Sequence, residues 1–250
     1  MYATLEQLKG FMTGGTYGDD RNALLLTELE SGSRRVDGFC RRGSGFGPVV
    51  ATKTYTARRP GRLLLEDDLV ELTGMTVDGT TKDPDDFTIE NGRVLTGSFG
   101  RGATLALEGT WGYGYQVIAT GTTLDDDVDE VAVTIPVVDP TKLVVGQVLV
   151  VDDEQLLVTA LGEASADVLR AQNGTTAATH EDEASISVIR YLAEVVDATL
   201  RVAQRRWKSR DAGLTMDFGG GPVIPVTAHQ DSELAILRAT VGHLAFGIVG

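Results

Sequence analysis

The residues from 191 to 211 contain neither glycine nor proline, and their apolar side chains recur at helical spacing. Steps of three and four residues place these side chains on one stripe of an α-helix. The members of the stripe are Leu192, Val195, Val196, Thr199, Ala203 and Trp207. Charged residues fall largely on the other side, with Asp197 four positions before Arg201 in the favourable order for an ion pair. The pattern predicts an amphipathic helix whose single apolar face another part of the chain must cover.

Two more helices are predicted near the N-terminus. Thr4 and Gln7 have the spacing of a capping box, which predicts a short first helix. Asp19 or Asp20 can cap a second helix. The apolar seam of the second helix consists of Leu25, Leu29, Gly32, Val36, Phe39 and Cys40. We expect Leu25, Leu29 and Val36 to cover the stripe of the 191–211 helix. Four arginines lie toward the C-terminal end of the second helix, and they favour a solvated helix terminus over a binding patch; they are Arg34, Arg35, Arg41 and Arg42.

The hydrophobic period changes from helix to strand after residue 43. β-Branched and aromatic residues predict strands over the segments 49–55, 63–65, 69–77, 87–89 and 103–111. Asp78-Gly79 and Asn91-Gly92 suit tight hairpin turns, because these residues tolerate positive φ angles. Residues 43–116 are therefore expected to form a small antiparallel sheet.

A second β-rich region extends from residue 117 to residue 190. Strands are predicted over 131–135, 148–151, 156–161, 166–169 and 185–189, with Asn173-Gly174 as a hairpin turn, and this spacing indicates a small sandwich or barrel. The region holds fourteen acidic and three basic side chains, a net charge of −11, whereas the rest of the chain has a net charge of −3. So sharp a break in composition indicates an inserted module.

The C-terminal part is rich in glycine and proline over residues 213–230, which indicates an extended arm. A last helix is expected to begin near Asp231 or Ser232, and it is apolar around much of its circumference. Such a helix either forms a partner surface or a swapped contact, or packs on the core of its own chain.

Composition narrows the functional classes. The 250-residue chain carries a formal net charge of −14, which argues against nucleic acid as the main ligand. Its single cysteine, Cys40, excludes an internal disulfide and suggests maturation in a reducing cytoplasm. Neither a signal peptide nor a membrane span is predicted.

The sequence contains no recognisable catalytic, cofactor or metal-binding motif. His180, His229 and His243 lie far apart, without the spacing of metal ligands. The acidic run over 125–130 lacks the central glycine of a calcium loop, so a solvated acidic linker is favoured over a calcium site. An enzyme is not expected.

Several phrases, taken in order, resemble the head–tail connector (adaptor) proteins of long-tailed bacteriophages. They are the N-terminal segment 2–9, the second helix over 20–42, the phrase LLLEDDLVELTGMTV at 63–77, Gly109-Thr-Trp-Gly-Tyr-Gly114, and the helix end 207–211. The resemblance covers most of residues 1–116 and 191–211. Many relatives pass directly from the Trp-Gly-Tyr-Gly strand to the long helix, so the region 117–190 is a departure.

The resemblance implies a helical bundle with a small antiparallel sheet for residues 1–116 and 191–211. Together with the inserted all-β module at 117–190 and the arm and terminal helix over 212–250, which the family does not supply, the expected fold class is α+β. The resemblance also implies a structural virion protein of the neck, assembled as a ring, by analogy twelvefold, below the portal protein. The ring would extend the DNA channel, without specific DNA binding, and dock a stopper or tail-completion protein. No catalytic residues or cofactors come with the family.

In related adaptors, C-terminal segments reach into the portal. The candidate portal-facing residues here are Trp207, Arg210, Met216, Phe218, Val223, Ile224, Leu234, Leu237, Leu244 and Phe246.

An alternative from another class is a virion β-domain that binds host glycan or decorates the capsid or tail. Stacking on sugars requires exposed aromatic rings, and the region offers few: Tyr191 at its border, and Tyr113 and Tyr115 before it. The favoured role for 117–190 is therefore a contact with neighbouring subunits or with the tail-side partner, or simply a widening of the ring.

Overall fold

The computed structural model describes residues 1–12, 17–214, 235–241 and 244, with the backbone alone for 211–214. The fold is mixed α+β and mostly β, with three antiparallel sheets. Helix α1 (Leu5–Phe11) has Thr4 as its N-cap, and the predicted capping box with Gln7 is confirmed. Helix α2 (Asn22–Cys40) differs from expectation at its start. Its N-cap is Arg21, because Asp19 and Asp20 belong to a preceding 3₁₀ turn.

Helix α3 (Ala193–Leu214) is the predicted amphipathic helix, and it packs along α2. Leu25 and Leu29 share one apolar cluster with Ala203 and Trp207. Val36 lies in a second cluster with three residues of α3, namely Val195, Ala198 and Val202. The expected cover of the stripe is thus confirmed. The buried face is turned slightly from the predicted one, since Ala198 and Val202 are fully buried while Val196 is only half-buried.

Residues 49–111 form two sheets rather than the single sheet expected. A four-stranded sheet has the order β1-β7-β3-β4, and a three-stranded sheet has the order β2-β6-β5. The strands are β1 (Val49–Thr56), β2 (Arg62–Leu64), β3 (Leu69–Val77), β4 (Thr80–Lys82), β5 (Thr88–Glu90), β6 (Val94–Thr96) and β7 (Thr104–Trp111). Both sheets contribute to one apolar core, in which Leu63 and Leu95 of the small sheet join Leu105, Leu107 and Trp111 of the large one. This two-sheet unit includes two short strands that the hydrophobic pattern missed, β4 and β6.

Glycines of the 109–114 segment allow three close approaches. A Cβ on Gly109 would lie 2.1 Å from the carbonyl oxygen of Glu71, and one on Gly112 would lie 2.3 Å from that of Gly47. Gly114 has a φ of 68° and lies against Leu192, just before α3. A side chain at these positions would collide with a neighbour, so the glycines bring the sheet, the 43–48 loop and α3 together.

Residues 116–190 form a six-stranded antiparallel sheet with the order β8-β13-β10-β11-β12-β9. Its strands are β8 (Gln116–Thr123), β9 (Thr134–Pro136), β10 (Val148–Val151), β11 (Glu154–Leu161), β12 (Ser165–Leu169) and β13 (Ser185–Arg190). Residues between 124 and 186 form the apolar core of this unit.

Two expectations for this region were wrong. Val131 and Val133 are 75% and 61% exposed and precede β9 instead of extending it. Asn173-Gly174 belongs to a 3₁₀ turn rather than a hairpin turn. Its Gly174 packs so closely on β1 that an added Cβ would lie 2.2 Å from the carbonyl oxygen of Val50.

A helical segment over 235–241 packs on α2 and α3. Leu237 and Val241 are buried there, and the thiol of Cys40 donates to the carbonyl oxygen of Val241 over 3.8 Å. Helix α3 continues to Leu214, so the first residues of the predicted arm are helical. The remainder of the predicted arm lies outside the described residues. In the described part of the chain, no helix combines the length and the apolar character that crossing a membrane requires.

Candidate interaction surfaces

A buried ion cluster lies at one end of the six-stranded sheet. The carboxylate of Glu154 on β11 accepts two hydrogen bonds from the guanidinium of Arg170, at 2.7 and 2.5 Å. The amides of Ala171 and Ala178 donate to the same carboxylate, both over 3.0 Å. Nε2 of His180 lies 3.0 Å from it. Glu154 is therefore fully partnered although its side chain is wholly buried.

This cluster holds irregular segments on the sheet. Burial alone would raise the pKa of Glu154, but the hydrogen bonds from Arg170, Ala171, Ala178 and His180 outweigh it and hold the pKa at about 2. Arg170 also donates to the carbonyl oxygens of Asp129 and Ala132, over 2.7 and 3.1 Å. The cluster connects β11 to the loops before β9 and before β13. This arrangement fits a structural role, in which the cluster holds these loops on the sheet, since both oxygens of the Glu154 carboxylate already accept hydrogen bonds.

An acidic surface lies beside this cluster, formed by the exposed carboxylates of segments 125–130 and 181–183. A backbone bridge between Val128 and His180, with both hydrogen bonds at 2.8 Å, joins the two segments. The amide of Asp182 donates to the Asp127 carboxylate over 2.8 Å. The carboxylates of segment 125–130 are thus exposed, as expected of an acidic linker, yet the buried Val128 and these hydrogen bonds hold the segment in place. Within the described residues, no group of His, Cys, Asp and Glu side chains has the arrangement of a metal site.

Arg42 lies where the helices meet the two-sheet unit. Its guanidinium pairs with Asp68 and sits over the rings of Tyr113 and Phe46, at 4.1 and 5.0 Å from their centres. Only 6% of the residue is exposed. The expectation of a solvated helix end was therefore wrong for Arg42, while Arg35 and Arg41 are exposed. Helical spacing alone could not show this, because α2 ends at Cys40 and the chain turns back at Arg41 with a φ of 54°.

An arginine-lined groove of about 1170 Å³ opens on the two-sheet unit. Residues 54–56 of β1 and Arg62–Leu64 of β2 line it, and both strands are the outermost strands of their sheets. Five arginines surround it, namely Arg41, Arg58, Arg59, Arg62 and Arg93, against a single carboxylate, Glu66. Arg93 pairs with Asp68 at 3.5 Å. In the described part of the chain, the other four make no ion pair.

This groove was missed at the level of sequence. The signal was the run Ala57-Arg-Arg-Pro-Gly-Arg62, three arginines in six residues of an acidic protein. Its significance depends on the two strand edges that flank the run. Because β1 and β2 belong to different sheets, local pattern could not predict that they border one groove.

The candidate portal-facing residues are only partly described. Trp207 is 4% exposed and meets Tyr17 edge to face, at 6.2 Å between ring centres, so it belongs to the core of its own chain. Arg210 is exposed, Leu237 is buried and Leu244 is half-buried. The remaining six lie outside the described residues: Met216, Phe218, Val223, Ile224, Leu234 and Phe246. The structure therefore brings Leu237 and Leu244 together in one cluster, with Trp207 in another.

The tyrosines considered for sugar stacking are mostly occupied. Tyr191 packs on Tyr2 with 4.7 Å between ring centres, and burial raises the pKa of its hydroxyl. Tyr113 is 39% exposed, but its ring lies under the guanidinium of Arg42, and Tyr115 is half-buried. These contacts give the glycan-binding alternative no support. No protein-family model matches the chain, and no curated protein matches it.

Proposed function

We propose that the protein is a head–tail adaptor, a structural subunit of a ring below the portal that extends the DNA channel and docks the next neck or tail component. The proposal takes the order of sequence phrases described above as its starting point. Its proposed partners are the portal protein, neighbouring copies of the chain, and a stopper or tail-completion protein. DNA would pass through the ring without specific binding.

The observation that carries the proposal is the packing of α3 on α2 after both β units have intervened in the chain. Glu28 of α2 accepts a hydrogen bond from Arg206 of α3 over 2.8 Å, and the buried residues along α3 meet α2 over most of its length. An element order in which a late helix returns to an early one is what the adaptor resemblance implies for 1–116 and 191–211.

In this proposal the six-stranded sheet is an all-β module inserted into a core of helices and the two-sheet unit. Two features support it. The chain leaves the core after Trp111 and returns at Tyr191, both of which are packed within it. The apolar cluster of the six-stranded sheet is drawn from residues 124–186, all of which belong to this region. The module would then enlarge the subunit without replacing any core element.

The direct test is to mix the purified full chain with portal particles of the same virus and image them by electron microscopy. We expect an added ring of density on the portal and co-sedimentation of the chain with the particles. A protein that stays monomeric and never binds portal particles would contradict the proposal. Truncation after residue 214 tests the proposed portal-facing segment, with circular dichroism to check that the remaining chain is folded. Unchanged attachment of a folded truncated chain would show that this segment does not contact the portal.

A further inference from the structure

We infer that the arginine-lined groove receives the acidic surface of a second copy of this chain, in a head-to-tail contact. The inference deepens the proposed function, on which the choice of a second copy as the occupant rests. It assigns to ring assembly two surfaces that lie on different β units of the chain.

Charge complementarity is the first argument. The groove presents five guanidinium groups and one carboxylate. The acidic surface presents eight carboxylates in the two joined segments 125–130 and 181–183. Like charges held at close spacing repel one another, and each set is neutralised when it faces the other. Bidentate pairing of guanidinium with carboxylate adds geometric specificity.

The groove arginines and the acidic surface do not satisfy each other within one subunit. In the described residues, Arg41, Arg58, Arg59 and Arg62 form no ion pair. The acidic side chains are exposed, and the hydrogen bonds that Asp126, Asp127, Asp129 and Asp182 accept come from backbone amides of the same two segments and of Val131 and Ala132. Both surfaces are therefore available to another molecule.

Exposed apolar side chains adjoin both surfaces. Leu64, beside the groove arginines, is 72% exposed, and Val131, directly after the acidic run, is 75% exposed. Val133 is 61% exposed. In the described chain these are the three most exposed large apolar side chains. Apolar side chains next to complementary charges are typical of a contact that buries both, with the charges setting orientation and the apolar groups adding affinity.

The two surfaces differ, so the contact is heterologous and each copy has one of each. A contact of this kind generates a ring when the rotation between neighbours closes, and a filament when it does not. A ring built in this way would alternate two-sheet units and six-stranded sheets around its circumference.

Charge reversal gives the test, in the full chain. Arg58→Glu with Arg59→Glu reverses two of the groove's charges and removes its net positive charge, and Asp125→Lys with Glu181→Lys reverses two charges of the acidic surface and halves its net negative charge. None of these four side chains makes a hydrogen bond or ion pair in the described structure. Controls with the same change in charge use exposed residues elsewhere: Lys82→Glu with Lys142→Glu, and Asp86→Lys with Glu163→Lys.

Association is measured by native mass spectrometry and sedimentation velocity in low salt. Each reversed variant is expected to associate roughly tenfold more weakly than the wild type, while both controls associate normally. A mixture of the two variants should associate again, because the unchanged acidic surface of the groove variant can bind the unchanged groove of the other variant. Raising the salt to about 0.5 M should weaken the wild-type assembly.

The inference is overturned if reversal has no effect, if the mixture is not rescued, or if neither the wild type nor the mixture associates. It is also overturned if Arg58→Glu with Arg59→Glu abolishes binding of a fluorescent DNA oligonucleotide but leaves self-association unchanged. A chain that forms rings on portal particles despite both reversals keeps the proposed function and overturns this inference. A chain that associates by charge pairing but never binds portal overturns the proposed function alone.

Discussion

Gly32 of α2 lies against the backbone of Thr199 on α3: a Cβ at position 32 would be 3.0 Å from the carbonyl oxygen of Thr199. The same atom would be 3.6 Å from Cβ of Ala203. Two small residues, Gly32 and Ala203, thus allow the two helix backbones to approach closely at their crossing. The contact lies in the middle of α2 and sets the distance between α2 and α3.

Replacing Gly32 by leucine should force the helices apart. Overpacking of this kind costs about 2 kcal/mol or more in the free energy of unfolding, and the obstructing atom is backbone that cannot rotate away. Gly38→Ala on the same helix is the control, since nothing lies within 4 Å of the added Cβ. The control should stabilise the helix by about 0.5 kcal/mol. Urea unfolding followed by circular dichroism measures both. Equal stabilities of the two variants would contradict the close crossing.

Glu154→Gln should destabilise the six-stranded sheet. The substitution keeps the shape but leaves the buried guanidinium of Arg170 without its counter-ion. Removing one partner of a buried ion pair costs about 3 kcal/mol. Glu163→Gln, at an exposed position between β11 and β12, is the matched control and should change stability by less than about 0.5 kcal/mol. Thermal unfolding followed by circular dichroism gives the comparison; a glutamine variant as stable as the control would show that the cluster does not hold the loops on the sheet.

Ionisation of the Glu154 carboxylate should make the stability of the fold depend on pH. The pKa of Glu154 is about 2 in the folded chain against a reference value of 4.5. A depressed carboxyl pKa gives stability that is complete above the unfolded value and is lost as the pH falls toward the folded one. The stability difference between wild type and Glu154→Gln should therefore shrink by about 2 kcal/mol between about pH 6 and pH 3. Urea midpoints measured at both pH values test this, and a constant difference would assign the pKa shift to other groups.

The sequence predicted those elements that depend on interactions between residues close together in the chain. The capping box at Thr4 and the turn at Asp78-Gly79 are examples, since Asp78 and Gly79 adopt φ angles of 50° and 76° in a two-residue hairpin. The stripe of α3 was predicted because one side of that helix is buried from Val195 to Trp207. In each case the decisive atoms lie within a few residues of one another.

One of the missed features is a local turn, whereas the other two depend on distant parts of the chain. Val131 and Val133 have strand-forming side chains, but Asp129 caps the amides of Val131 and Ala132 and holds a turn there. Arg42 is buried because Asp68 and Tyr113 come to it from the two-sheet unit. The arginine-lined groove likewise requires two edge strands from different sheets. The spacing of residues along the sequence does not predict contacts between residues that are far apart in the chain.

The helical segment over 235–241 gives the last prediction, with Cys40 as its reporter. Leu237 is 4% exposed and Val241 covers the thiol of Cys40. Burial raises the pKa of that thiol to about 11, so little thiolate is present at pH 8. In native protein the single cysteine should therefore react slowly with a thiol reagent.

Leu237→Ala should release the segment and expose Cys40. Loss of the buried leucine costs about 2 kcal/mol at this contact, which makes local opening and thiol modification roughly thirtyfold faster. Arg238→Ala, at the exposed neighbouring position, should leave the modification rate unchanged. The modification rate of each variant is measured in native buffer from the absorbance of the thiol product that the reagent releases. Fast modification of the wild type, or equal rates in the two variants, would mean that this segment does not cover its own core, which would favour its use as a partner surface.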